Sequence, residues 1–161
     1  SPAKIVTDMN NSISDNNDTN MFVTLIVGIL DLKTGKLKLC NAGHNPPILI
    51  RPDGQVSFLE FKTQIFVGVI EEYAYTEDET TLDKGSKLFL YTDGVTEAEN
   101  TDKELYGDEK LLETLSDYAT SDVRTTVNAI VKSIATHVEE AEASDDLTIL
   151  LIQYEPGTTN N

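Results

Sequence analysis

Apolar residues recur at helical spacing near the start of the chain. Val6, Met9 and Ile13 fall at i, i+3 and i+7, behind a proline at position 2 that suits a first helical turn. The pattern predicts a short amphipathic helix ending in the polar run Asn16-Asn17-Asp18-Thr19-Asn20. That run has neither the glycine nor the later bidentate Glu of a calcium loop, so it reads as a turn. Residues 21–30 are almost continuously apolar, as expected of a strand buried on both faces. A hairpin turn at Lys33-Thr34-Gly35-Lys36 leads into Lys36-Leu37-Lys38-Leu39, whose alternation leaves one face wet. Strands at 48–50 and 56–61 flank Pro52-Asp53-Gly54, and two more fit 74–82 and 87–92 around Asp83-Lys84-Gly85.

The period then changes from two to 3.6. A helix carrying Leu111, Leu112 and Leu115 is expected, with Asp108 as its cap. A second begins at Ser121 or Asp122 and carries Val123, Val127, Ile130, Val131, Ile134 and Val138 along one stripe, read as core. A last apolar strand spans 147–152. Hairpin spacing with helices packed on the faces predicts an α+β layered domain of mainly antiparallel sheet. No internal repeat or linker interrupts it. One domain over 1–154 and a polar tail over 155–161 are therefore expected.

With 161 residues the chain has room for one sizeable core. Its net charge of −16 argues against binding a phosphate backbone, so no nucleic-acid partner is expected. The excess is uneven. Residues 71–117 carry 15 acids against 4 bases, whereas residues 1–70 carry six of each. Such a run is ordinarily a solvated face, but converging carboxylates could also hold hard cations. No apolar run approaches the roughly 20 residues that span a bilayer. The one cysteine, Cys40, fits a reducing compartment, so a cytoplasmic location is expected. The opening Ser1-Pro2 in place of Met predicts a piece of a longer chain.

Two acidic positions stand apart because each adjoins an apolar strand. Asp93-Gly94 directly follows the strand at 87–92, and Asp145-Asp146 directly precedes the one at 147–152. If these strands are antiparallel neighbours, Asp93 and Asp145 meet at one sheet edge. Two carboxylates so placed repel unless one is protonated or a cation lies between them. Gly94 lets a metal or its water approach the backbone. The plainer reading makes Asp93-Gly94 a turn and Asp145 a strand-end cap.

Four segments in order decide between these. Met21-Phe22-Val23-Thr24-Leu25, Asn41-Ala42-Gly43-His44-Asn45-Pro46-Pro47, Tyr91-Thr92-Asp93-Gly94-Val95-Thr96-Glu97-Ala98 and Asp145-Asp146-Leu147-Thr148 together resemble the SpoIIE/RsbU-type bacterial serine/threonine phosphatases. That group is a branch of the metal-dependent type 2C (PPM) superfamily. The resemblance implies an αββα sandwich with two Mn²⁺ or Mg²⁺ ions at one end of the sheets, and a match of Asp93 and Asp145 to metal-binding aspartates. It implies as substrate a phosphorylated anti-sigma-factor antagonist of the STAS type, in bacterial partner-switching control of transcription. An upstream sensor domain is expected in the full-length chain, which could be anchored with this domain on the cytoplasmic side of a membrane. The family's earlier Gly-Asp metal motif has no match before Met21. The chain is therefore expected to be the C-terminal portion of such a domain, lacking N-terminal strands and part of the metal site, with weak metal binding and little activity. Apolar surface left by absent strands would favour self-association into a homodimer.

Around this pair, Thr92, Asp146 and Thr148 are candidates to position the ligands. His44 either binds phosphate or acts as a general acid, or holds its turn by hydrogen bonds. Asp31 reads as a turn residue, Glu97 and Glu99 as solvated loop carboxylates, and Cys40 as packing. A non-catalytic module that binds a regulatory partner is the alternative to the enzyme.

Overall fold

The computed structural model describes residues 1–15, 17, 21–139, 141 and 146–156. Along the chain the elements are α1 (Pro2–Ser14), β1 (Leu25–Leu30), β2 (Lys36–Ala42), β3 (Ile48–Ile50), β4 (Val56–Phe58), β5 (Thr63–Gln64), β6 (Asp78–Thr81), β7 (Lys87–Tyr91), α2 (Gly107–Asp117), α3 (Val123–Val138) and β8 (Ile149–Gln153). They divide into two compact units, one mainly from Ser1–Pro46 and Glu60–Leu82, the other from Pro47–Leu59 and Asp83–Tyr154. The expected polar tail lies mostly outside the described residues, as does most of the polar run after α1.

In the first unit Ser1 caps α1, its hydroxyl accepting from the Lys4 amide, and Pro2 occupies the first turn where a missing N–H costs nothing. Val6 is fully buried as its spacing predicts, but Met9 is exposed and Asn10 takes the core position instead. A buried amide is tolerated there because both its ends are used. Asn10 Nδ2 donates to Ile70 O at 2.8 Å, and Oδ1 accepts from Gly68 N at 2.9 Å. β1 and β2 form the predicted hairpin, Leu25 opposite Ala42 and Leu30 opposite Leu37. Asp31 holds its turn by accepting from Lys33 N at 2.8 Å and from Thr34 N at 3.3 Å.

β6 pairs antiparallel with one half of β2, and the short β5 pairs parallel with the other. The predicted strand at 74–82 begins only at Asp78. Before it, the Gln64 side chain takes both polar groups of the Thr76 backbone at 2.8 Å, so no ladder forms there. The core is Val6, Cys40, Ala42, Val67 and Tyr75. Burial in it pushes the Cys40 thiol up to about 11, as befits packing rather than reactivity.

Residues 21–30 depart from the expected strand buried on both faces. Only 25–30 is strand, and it forms the edge of its sheet. Met21 and Phe22 are 66% and 56% exposed, held by the Asn17 side chain on the Met21 backbone, by the Phe22 ring against Phe66 and by a bridge of Val23 to Val67. A continuous apolar run is the signature of a central strand; with no strand on its outer side among the described residues, this one stays half-covered.

The second sheet runs β4-β3-β7-β8 and is antiparallel throughout. Ile48, Ile50, Phe89, Tyr91 and Leu151 share one core with Leu111 and Leu115 of α2 and Ile130 and Ile134 of α3. Full burial of each such aliphatic side chain contributes about 1.5–3 kcal/mol. Asp122 caps α3, as read, accepting from Thr125 N at 2.9 Å and Thr125 Oγ1 at 2.6 Å.

Asp108, by contrast, lies in the first turn of α2 and does not cap it. The entry is fixed instead by main-chain bonds from Tyr106 N to Ala98 O and Gly107 N to Thr96 O. Val131 leaves the α3 stripe for solvent, and β8 is an edge strand with Leu150 and Ile152 exposed. β7 opens with Lys87, only 5% exposed, whose Nζ donates to Ala119 O at 2.8 Å and to Ser121 O in the α2–α3 connection. Burial pushes this ammonium below the usual lysine range. The class is thus α+β with mainly antiparallel sheets. No helix among the described residues is long and apolar enough to cross a membrane.

Candidate metal centre

The pairing of β7 with β8 sets the geometry of the acidic end. Tyr91 lies opposite Ile149, so the residues just past β7 run beside those just before β8. Thr92 fastens the two segments three times. Its N–H donates to Thr148 O at 3.1 Å, its Oγ1 accepts from Thr148 N at 3.2 Å, and that hydroxyl donates to Asp146 O at 3.4 Å.

Beyond Thr92 the chain turns sharply. Asp93 O accepts from Glu97 N at 2.8 Å, and the fully buried Val95 anchors the turn in the core. At Gly94 a Cβ would collide with the main-chain carbonyl of Asp146. Only glycine permits this approach without displacing backbone.

The Asp93 carboxylate is exposed, and its one hydrogen bond among the described residues comes from the adjacent Gly94 N–H at 3.1 Å. It therefore keeps most of its acceptor capacity for something outside the chain. Asp146 and Thr148 are exposed beside it. The strand ends bring together Thr92, Asp93, Gly94, Asp146 and Thr148.

Asp145, the other ligand read from the sequence, lies outside the described residues. His44 belongs to the other unit. There its backbone is held by the buried Asn41, which accepts from His44 N at 2.8 Å and donates to His44 O at 2.9 Å. The ring meets Thr24 Oγ1 at 3.4 Å. Asn41 is the residue that builds this turn, and the Asn-x-x-His spacing was the signal for it. Glu97 is exposed as read, and Glu99 pairs with Lys103 at 2.9 Å.

Oxygen donors of this kind suit a hard divalent cation such as Mg²⁺ or Mn²⁺. The donor chemistry fits. The ligand number is smaller than such an ion needs, since no three His, Cys, Asp or Glu side chains converge on one point among the described residues.

The family model for Stage II sporulation protein E (SpoIIE) matches residues 1–155. The chain belongs to the SpoIIE family. It is 33% identical over 140 residues to Protein IcfG of Synechocystis, covering 86% of this chain and 22% of that protein. To phosphoserine phosphatase RsbU of Bacillus subtilis it is 26% identical over 155 residues, covering 94% of this chain and 45% of that one. The chain thus spans less than half the length of these relatives.

Among solved structures, the SiaA-PP2C domain of Pseudomonas aeruginosa superposes with a TM-score of 0.82 at 20% identity, over 96% of this chain and 61% of that one. The SpoIIE phosphatase domain of Bacillus subtilis, presoaked with manganese, superposes with a TM-score of 0.70 at 19% identity, over 96% and 68%. At such identities these likenesses establish the fold, which is that of PP2C phosphatase domains. This SpoIIE-family chain thus has the fold of PP2C phosphatase domains.

Proposed function

We propose that the end of β7 and the start of β8 form the catalytic edge of a metal-dependent phosphoprotein phosphatase, with Asp93 and Asp145 as carboxylate ligands. The observation that carries this reading is the Asp93 carboxylate, exposed just past β7 and bonded among the described residues only to the adjacent Gly94 N–H. Asp93 and Asp145 would hold Mn²⁺ or Mg²⁺, and such ions would supply Lewis-acid activation of a water and of the phosphoryl group.

The chain's own residues supply position. Thr92 locks the end of β7 to Asp146 and Thr148 just before β8. Gly94 allows that lock to close, and Asp146 and Thr148 line it. No side-chain nucleophile is required, so the absence of a Ser-His-Asp arrangement in the sequence is no obstacle. The exposed position of Asp93 leaves room for a phosphoserine or phosphothreonine carried on a folded protein.

The family resemblance supports a STAS-type anti-sigma-factor antagonist as that protein, in a bacterial cytoplasm. Two carboxylates are few for two ions. We therefore assign these 161 residues weak metal affinity and little turnover by themselves. The sparse ligand set also favours a second reading, a partner-binding module without catalysis.

Phosphate release from a phosphoserine STAS protein separates the two. The enzyme reading requires Mn²⁺-dependent release by the full-length protein and its loss in Asp93→Asn. Binding of the phosphoprotein without release at any Mn²⁺ concentration leaves the second reading standing. Release by the 161 residues alone at the full-length rate contradicts the assigned weakness.

A further inference from the structure

The first unit turns apolar side chains to solvent where the segments before β1 and after β5 meet. Val23 and Val67 exchange main-chain hydrogen bonds in an antiparallel bridge, so Met21 stands opposite Val69 in register. Two asparagines hold this backbone in place. Asn17 Nδ2 donates to Met21 O at 2.6 Å and to Gly68 O at 2.9 Å. Asn10, fully buried, binds Gly68 N and Ile70 O. The usual order is inverted here. An amide lies inside, while Met21, Phe22, Val23, Val69 and Ile70 are 44–66% exposed. Apolar residues exposed singly are ordinary, but five together on a backbone fixed by side-chain bonds mark an interaction site.

Charge decides what covers it. The two segments that build the surface, residues 9–23 and 63–77, hold five acids and no Lys, Arg or His. Glu77 is spent on Lys38 and the Ala3 amide. Glu71 and Glu72 directly follow Ile70 and are exposed. Neither has an ion pair among the described residues. A second copy of the chain would bring the same acidic rim against itself, and an anionic lipid surface would bring further negative charge. Both are repelled.

We propose that this surface docks a protein partner presenting an apolar side chain flanked by Lys or Arg. The apolar contact takes Phe22 and its neighbours out of water and supplies most of the affinity. The flanking cations meet Glu71 and Glu72 at the rim, which orients the partner and speeds its encounter. The proposal uses none of the residues at the β7–β8 edge and stands independently of the phosphatase reading.

Titration of the full chain with three capped tetrapeptides, Arg-Phe-Leu-Lys, Glu-Phe-Leu-Glu and Arg-Gly-Gly-Lys, followed by amide NMR, tests it. The first should give saturable shifts centred on residues 21–23 and 69–72. The acidic and the apolar-free peptides should each bind about tenfold more weakly. Phe22→Ser should lower affinity for the first peptide about tenfold, and Glu71→Gln/Glu72→Asn about threefold. Glu72 lies at φ 54, a backbone conformation that asparagine tolerates better than glutamate, so the double variant keeps the fold while losing the charges. The proposal is overturned by equal binding of the acidic peptide, by shifts that never saturate or centre elsewhere, or by undiminished affinity in either variant. It is also overturned where the same amides shift with protein concentration alone, which assigns the face to a second copy. Shifts on adding phosphatidylglycerol vesicles assign it to a membrane, and failure of the full-length protein to take the peptide assigns it to another segment of that protein; either result overturns the proposal as well.

Discussion

β7 carries a charge at each end, and the two are used in opposite ways. At its start, Lys87 is buried and its ammonium is tied to two main-chain carbonyls of the α2–α3 connection. Just past its other end, Asp93 is exposed and bonded only to the next residue's N–H among the described residues. Burying a cation is costly unless donors and acceptors match, so Lys87 is committed to structure. Asp93 bears no such cost and has no such commitment. A charge spent on the fold is found by counting its partners, and a charge kept for chemistry by finding few.

Substitutions at the two ends should separate stability from activity. The largest effect belongs to Asp93→Asn in the full-length protein. Mn²⁺-dependent phosphate release should fall more than about 100-fold, since losing even an outer-shell partner costs 10–100-fold. The thermal midpoint should hardly move, and a large drop in it would mean that Asp93 too is structural. Lys87→Met should do the reverse. Leaving the two carbonyls unpaired costs about 2–4 kcal/mol in denaturant unfolding, while turnover of the folded fraction is retained. Lost turnover in fully folded Lys87→Met would break the contrast.

Gly94→Ala sharpens it, because a Cβ there meets the backbone of Asp146 rather than a movable side chain. A loss of about 1–3 kcal/mol is expected from overpacking, together with reduced turnover as the edge opens. Thr92→Val removes the hydroxyl that bridges Thr148 N and Asp146 O. It should cost about 1 kcal/mol in unfolding and raise the Mn²⁺ concentration needed for half-maximal activity.

The smallest effect is at Asp122, an exposed cap that only helps to start α3. Bonds from Thr125 hold its carboxyl below the usual aspartate value of 3.8. It therefore stabilises the fold above that pH, and the contribution is lost as pH falls through the lowered value. Thermal midpoints of wild type and Asp122→Ala should differ at pH 7 and converge as the pH falls below the usual aspartate value.

Much of this was legible in the sequence where one residue's environment is set by its near neighbours. The hairpin around Asp31, the Asp122 cap, the alternation in β2 and the α+β class all follow from local pattern. Failures came where a distant group decides. Nothing near Asn10 in sequence announces that Gly68 and Ile70 will satisfy its amide, so Met9 was placed inward in its stead. Gln64 takes the backbone of Thr76 from twelve residues away and shortens β6.

Residues 21–30 misled in another way. They are apolar enough for a central strand, yet β1 forms a sheet edge and Met21, Phe22 and Ile29 are exposed. Hydrophobicity along a strand does not say how many neighbours it has. At the candidate site, the juxtaposition of Thr92 and Gly94 with Asp146 followed from two strands read as antiparallel neighbours. The part played by the Asp146 main-chain carbonyl, rather than its carboxylate, had no sequence signal.

The central claim is that Asp93, bonded among the described residues only to Gly94 N–H, binds a divalent cation at the β7–β8 edge. Paramagnetic broadening of backbone amides by trace Mn²⁺ tests it directly, since even weak binding registers. The predicted result is broadening centred on residues 92–96 and 146–148 that disappears in Asp93→Asn. Broadening centred elsewhere, on Asp15, Glu71 and Glu72 for example, or unchanged in Asp93→Asn, would contradict it.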